Sequence, residues 1–127
     1  MQYWLLKTEP GTFSIDDLKR EGTTSWTGVR NFAARNHIRA MKKGDAAFIY
    51  HSGTAPAVVG QGKVASLPYI EVDNWSTVDI SFSKKFAEPI SRKDILDLAI
   101  FKGSALARQG RLSVVPLSKG QYEAILK

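Results

Sequence analysis

Short apolar runs bounded by glycine, proline and charged clusters alternate along the chain with stretches whose apolar positions recur every third or fourth residue. YWLLK (Tyr3–Lys7) reads as a short strand, and Pro10-Gly11 punctuates the loop that follows it. Ser14 then caps IDDLKRE, a helix of about two turns with Asp16 and Asp17 at its positive end, which Gly22 stops. A second helix is expected from about Val29 to Met41, where Phe32, Ala33 or Asn36, Ile38 or Ala40, and Met41 make an imperfect apolar stripe. Lys42-Lys43-Gly44-Asp45 is a turn, and the run Asp45–Ser52 is a buried strand. Gly53–Ala57 forms a tight loop into a partner strand, Val58–Ser66, in which Gly60 and Gly62 signal a bulge or a close approach of backbone. Thr77–Phe82 alternates as a strand does, Ser91 caps a helix running to Phe101, Arg111–Ser118 is a last strand, and KGQYEAILK is a short amphipathic helix.

This order mixes helices and strands without a clean βαβ alternation. It predicts an α+β fold: a strongly bent mixed sheet or open barrel with helices packed around it. No repeat, low-complexity tract or linker interrupts it, so residues 1–127 are expected to form one domain. A hydrophobic fraction of 43% is ordinary for a globular chain. No apolar run approaches the roughly 18 residues of a spanning helix, so no membrane partner is expected. Residues 1–8 carry Lys7 as their sole charge and lack a signal peptide's layout, which predicts a cytoplasmic protein. The absence of cysteine excludes disulfides and thiolate metal sites. The formal net charge of +6 favours a polyanionic partner.

Candidate chemistry concentrates in WTGVRNFAARN, Trp26 to Asn36. Trp26 offers a flat surface for stacking, and Gly28 lets backbone come close to a ligand. Asn31 and Asn36 each carry a donor and an acceptor that suit a base edge, although Asn31 also fits a helix cap. Arg30 and Arg35 can hold phosphate in bidentate geometry. Arg35, Arg39 and Lys42 follow at helical spacing and share one face, with Lys43 beside them. His51 and Ser52 invite a catalytic reading, but neighbours on a strand point to opposite faces and cannot act on each other. The chain has one further histidine, His37, with no carboxylate cluster near it in sequence, so no metal site is expected.

YWLLKTEP, SWTGVRNFAARNHIRAMKKGD, AFIYHSG, VVGQGKV and RLSVVPLS occur in an order that resembles the EVE domain, a PUA-like relative of the YTH readers of methylated adenine. The similarity runs from Tyr3 to about Lys127. It implies a barrel-like fold that holds one flipped, modified base of DNA or RNA in an aromatic pocket, without cofactor or chemistry, in a monomeric bacterial protein. The base site implied combines Trp26, Gly28, Val29, Asn31 and Asn36 with Tyr50, His51, Ser52, Lys7 and Ser113. Arg30, Arg35, Arg39, Lys42 and Lys43 are the expected phosphate holders. The family's longer segment after the GKVAS strand is cut here to Leu67–Ser76. Trp75 is therefore the candidate second aromatic wall, with Tyr69 and Phe82 as replacements. Architecture also resembles ASCH-type amidohydrolases acting on modified nucleosides. In that alternative Lys7, Thr8 and Glu9 would work with a partner such as Glu71 or Asp73.

Overall fold

The computed structural model describes residues 1–127. Strand β1 (Tyr3–Thr8) runs through the middle of the fold, and its Leu5 and Leu6 are fully buried. Burial on both faces is why it reads as an apolar run instead of an alternation. One short strand, β2 (Thr23–Ser25), was not anticipated. Strands β3 (Ala46–His51) and β4 (Ala57–Val64) form the expected central pair, and a two-stranded hairpin follows as β5 (Tyr69–Val72) and β6 (Trp75–Thr77). Strand β7 (Asp79–Ser91) is more than twice as long as Thr77–Phe82 suggested, and β8 (Val114–Leu117) closes the set. The main sheet has the order β2-β7-β4-β3-β1-β8. Within it β1 and β3 are parallel, with Tyr3 opposite Ala46 and Thr8 opposite His51; the other pairs are antiparallel.

The sheet curls into a half-barrel because its central strands carry extra residues. Register slips between Ile49 and Tyr50 in the β3–β4 pairing, and around Gly60 and Gly62 in the β4–β7 pairing. Such bulges raise the local twist and bend the strand. A Cβ at Gly60 would lie 2.4 Å from the Lys84 carbonyl oxygen and 2.8 Å from Ile15 Cδ1. The expected close approach is therefore that of β7 and of the helix beginning at Ile15.

That helix, α1 (Ile15–Glu21), has a capping box: Ser14 Oγ accepts from the Asp17 amide, and the Asp17 carboxylate accepts from the Ser14 amide. Helix α2 (Phe32–Ala40) starts three residues later than the apolar stripe suggested, because Asn31 is its cap and accepts from the Ala34 amide. The expected helix from Ser91 to Phe101 breaks in two, α3 (Arg92–Leu96) and a 3-10 turn (Ala99–Phe101). Leu98 is extended between them, which turns Phe101 into the core. Helices α4 (Ala105–Arg108) and α5 (Lys119–Leu126) flank β8. No helix is long and apolar enough to cross a membrane.

Candidate nucleic-acid interface

A cavity of about 420 Å³ opens where the end of β1, the turn before α1, strand β2 and the segment Trp26–Val29 meet. Each wall has a local cause. Turn bonds from the Thr12 and Phe13 amides to the Glu9 carbonyl, and from the Thr8 hydroxyl to the Phe13 carbonyl, fold Phe13 back toward the sheet. Pairing of β2 with β7 continues into a bond from the Trp26 amide to the Val78 carbonyl, so Trp26 turns inward. Thr77 Oγ1, buried, donates to the Trp26 carbonyl and fixes the strand exit. Trp26 is consequently 7% exposed, part core and part cavity wall. Its ring meets Phe13 edge to face, with centroids 6.1 Å apart and planes at 90°.

Around this aromatic corner lie six hydroxyls, from Thr8, Thr12, Thr24, Ser25, Thr27 and Ser113, with Lys7 and Glu21 as the charged groups. Lys7 Nζ sits 5.5 Å from the Tyr50 ring centre and donates to the Gly110 carbonyl at 3.1 Å. Burial, and then the positive charge of Arg92, lower its pKa. Burial raises that of the Tyr50 phenol beneath it, against the opposing pull of Arg92. Arg108 and Arg111 flank Gly110, and the chain's ion pairs involve neither of them, nor Lys7 or Arg92. Lys7 thus brings a positive charge to the cavity lining, with Arg92 close enough to act on it.

Of the expected base-site residues, Trp26, Gly28, Val29, Lys7 and Ser113 line this cavity. Tyr50 is buried below Lys7 and does not line it. Asn31 spends its carbonyl oxygen on the α2 cap, and Asn36 stands exposed on that helix away from the cavity. His51 and Ser52 line a neighbouring cavity with Glu9 and Pro10. His51 Nε2 accepts from the Ile15 amide at 3.0 Å, so this histidine caps α1 from the sheet; burial lowers its pKa. The set Lys7, Thr8 and Glu9 is divided, since the first two share the cavity with Glu21 while Glu9 faces the other one.

Trp75 is not the second wall. It stacks on Phe32, with centroids 5.2 Å apart and planes at 26°, outside the cavity. The β5–β6 hairpin lies along α2, and Arg30 just before that helix, with Arg35 and Arg39 on it, holds the hairpin there. Arg30 donates to both oxygens of Glu71, at 3.2 and 2.8 Å, and this pairing holds the Glu71 carboxyl below its ordinary pKa. Arg35 lies 4.9 Å from the Phe32 ring centre and 5.5 Å from that of Trp75. Arg39 donates to Ser76 Oγ and to Asn74. Arg30 is therefore neutralised, and Arg35 and Arg39 have packing work that the expectation of free phosphate holders did not include. Lys42 and Lys43 border a separate depression with Met1, Gln2 and Asp45. Tyr69, the alternative wall, bonds to Ser25 and Asp79, while Phe82 packs against the core.

The residues missed are Phe13, Thr12, Glu21, Thr24, Ser25 and Thr27. A signal existed for three of them: TTSWT places hydroxyls on both sides of Trp26 in a run too short and polar to be a core strand. Glu71, expected only as a partner in the amidohydrolase alternative, has another place. It accepts from the Gly28 amide at 3.1 Å as well as from Arg30, and so ties the hairpin to the cavity rim.

The sequence model of the EVE domain matches residues 2–127. The chain belongs to the EVE domain family. Thymocyte nuclear protein 1 of Gallus gallus is 35% identical, an alignment covering 98% of this chain and 67% of that protein. That alignment spans 163 positions against 127 residues here, so the relative carries segments absent from this chain. A Leishmania major protein of known structure superposes with a TM-score of 0.96 at 37% identity, covering 99% of this chain and 92% of the other. Human THYN1, solved in complex with DNA containing 5-methylcytosine, superposes at 0.87 with 32% identity, covering 99% and 96%. At 8% identity and a TM-score of 0.62, ASCH from Zymomonas mobilis shares the PUA-like fold alone.

Proposed function

We propose that this EVE domain binds one extruded, modified base of a nucleic acid in the cavity at Trp26, without transforming it. The observation that carries the reading is the half-open aromatic corner. A buried indole forms one wall, Phe13 stands perpendicular to it, and hydroxyls surround the space. The volume lies within the roughly 300–1,000 Å³ of ligand pockets. A base stacked on Trp26 would present its edge, not its face, to Phe13, so stacking is one-sided. One stacked face is worth about 1–3 kcal/mol, enough to offset the few kcal/mol that extrusion costs in a single strand. Hydroxyls both donate and accept, so they suit a base edge whose pattern includes both. A methyl adds about 1 kcal/mol by burial, which sets the scale of discrimination. Lys7, Arg92, Arg108 and Arg111 supply the positive charge for the phosphates beside the cavity. The DNA complex of the human relative supports a nucleic-acid partner.

The test is a titration of nucleoside monophosphates carrying cytosine and adenine modifications, followed by tryptophan fluorescence, with each mixture then checked by chromatography. Saturable binding of a modified nucleotide that is recovered unchanged is the expected result. A new product would move the chain to the amidohydrolase class, with Lys7, Thr8 and Glu21 as the groups at hand.

A further inference from the structure

The exposed ring of Phe32 stands at the first residue of α2, three positions after the cavity-lining Val29. It is 64% exposed although the half-buried ring of Trp75 lies against it. We propose that Phe32, backed by Trp75 and flanked by Arg35, is a stacking platform for a base adjacent to the one held at Trp26, in single-stranded DNA or RNA. The adjacency rests on the base-binding reading above; the platform itself does not.

Two features point to a nucleic acid. The first is aromatic surface left open. Trp75 and Phe32 form one tilted stack, and the hairpin is already fixed to α2 and β2 by the bonds of Arg39, Glu71 and Tyr69. An open phenyl ring contributes little to that attachment, whereas every base has a face that can use it. The second feature is charge. Arg35 and Arg39 have only neutral partners, the Asn74 carbonyl, the Asn74 side chain and Ser76 Oγ, so their charges are uncompensated by any carboxylate. Guanidinium over an aromatic ring, with free charge beside it, is the combination that single-strand-binding grooves use to hold base and backbone together.

Continuity with the cavity comes through Glu71. Its carboxylate holds the Gly28 amide on the cavity rim and Arg30, whose guanidinium lies 5.6 Å from the Trp75 ring centre. A strand leaving the cavity at Gly28–Val29 therefore meets Arg30, then the Phe32–Trp75 stack and Arg35. The exposed apolar residues Ile70 and Val72 of β5 would suit a protein partner, but the unpaired arginines favour the polyanion.

Fluorescence anisotropy with labelled pentanucleotides tests this. DNA and RNA versions carry one central 5-methylcytosine or cytosine, at one salt concentration, and 5-methyl-dCMP serves as the single-nucleotide ligand. Phe32→Ala and Phe32→Leu should weaken pentanucleotide binding about five- to hundredfold, the loss of one stacked face. Phe32→Trp should preserve it. All three should leave 5-methyl-dCMP binding and the circular dichroism spectrum unchanged. A loss confined to DNA or to RNA would support the platform and name its polymer. Unchanged pentanucleotide affinity in Phe32→Ala, an equal loss for the single nucleotide, or no binding of any pentanucleotide by the native chain would overturn it. Equal affinity for modified and unmodified pentanucleotides, with the Phe32 effect intact, would leave the platform standing and show that the cavity does not read the cytosine methyl.

Discussion

Gly60→Ala tests how the half-barrel seats the helix that carries the cavity wall. The added Cβ would lie 2.4 Å from Lys84 O and 2.8 and 3.1 Å from Ile15 Cδ1 and Cγ1. Ile15 can change rotamer, but the carbonyl belongs to a paired strand, where Gly60 lies opposite Lys85. Relief requires β4 and β7 to separate locally by most of an ångström, at the bulge that bends the sheet. Overpacking in a core typically costs about 1–3 kcal/mol, and a backbone clash belongs at the upper end. For a chain of this length about 3 kcal/mol corresponds to a fall in Tm of roughly 10 °C. Differential scanning calorimetry of Gly60→Ala is the assay, with Gly11→Ala as control. At Gly11 no atom lies within 4 Å of the added Cβ and φ is not positive. The control should hold or raise stability by about 0.4–1 kcal/mol, because the unfolded chain loses entropy. A Gly60→Ala protein melting within about 2 °C of the native one would show that the sheet yields without cost and that the close approach of β7 and Ile15 is not needed.

Four further outcomes follow from the same geometry. The folded-state pKa of His51 is lowered below its unfolded value, so its cap on the Ile15 amide stabilises fully above about pH 6.5 and is lost as pH falls through the folded value; Tm should drop more between pH 7 and 5 in the native chain than in His51→Gln, and parallel curves would contradict this. Trp26→Ala should destabilise by about 3–5 kcal/mol because the ring is nearly buried, while Trp26→Phe should keep the fold and weaken base binding; an unchanged melting curve for Trp26→Ala would show that the ring bears no core load. Glu71→Ala should speed hydrogen exchange of the Gly28 amide, measured by NMR, and an unchanged rate would deny its hold on the rim. Removing charge with Arg111→Gln should lower the slope of log K against log salt by roughly 0.7–0.9, whereas Lys43→Gln, in its separate depression, should not.

Strands β1, β3, β4 and β8 and helix α1 were legible because burial on both faces, serine caps and terminal glycines leave local marks. Strand β2 and the β5–β6 hairpin were not. Most residues of β2 and β5 are exposed, those of β6 are polar apart from Trp75, and the pairing is decided by partners far away in the chain: Ser25 with Asp79, Tyr69 with Ser25 and Asp79, Glu71 with Arg30. That Trp26 lines a cavity was legible from its loop position beside Gly28. Trp75 was misassigned for the same kind of reason, because an indole in a polar loop carries no sign of which neighbour it stacks on; Phe32 supplies that neighbour from another element. The arginines of α2 were assigned from helical spacing, which gives their shared face but not that a hairpin lies across it. Phe13 escaped notice because only the turn bonds to Glu9 bring it opposite Trp26.

We propose that the Trp26 cavity reads a modified base. The most direct test is the ratio of dissociation constants of the native chain for a single-stranded pentanucleotide with central 5-methylcytosine and for the same strand with cytosine, at one salt concentration. Burial of one methyl predicts the modified strand tighter by about fivefold, a preference that Trp26→Phe should reduce. Equal constants for the two strands, with Trp26→Phe indistinguishable from the native chain on both, would show that no base is read at Trp26.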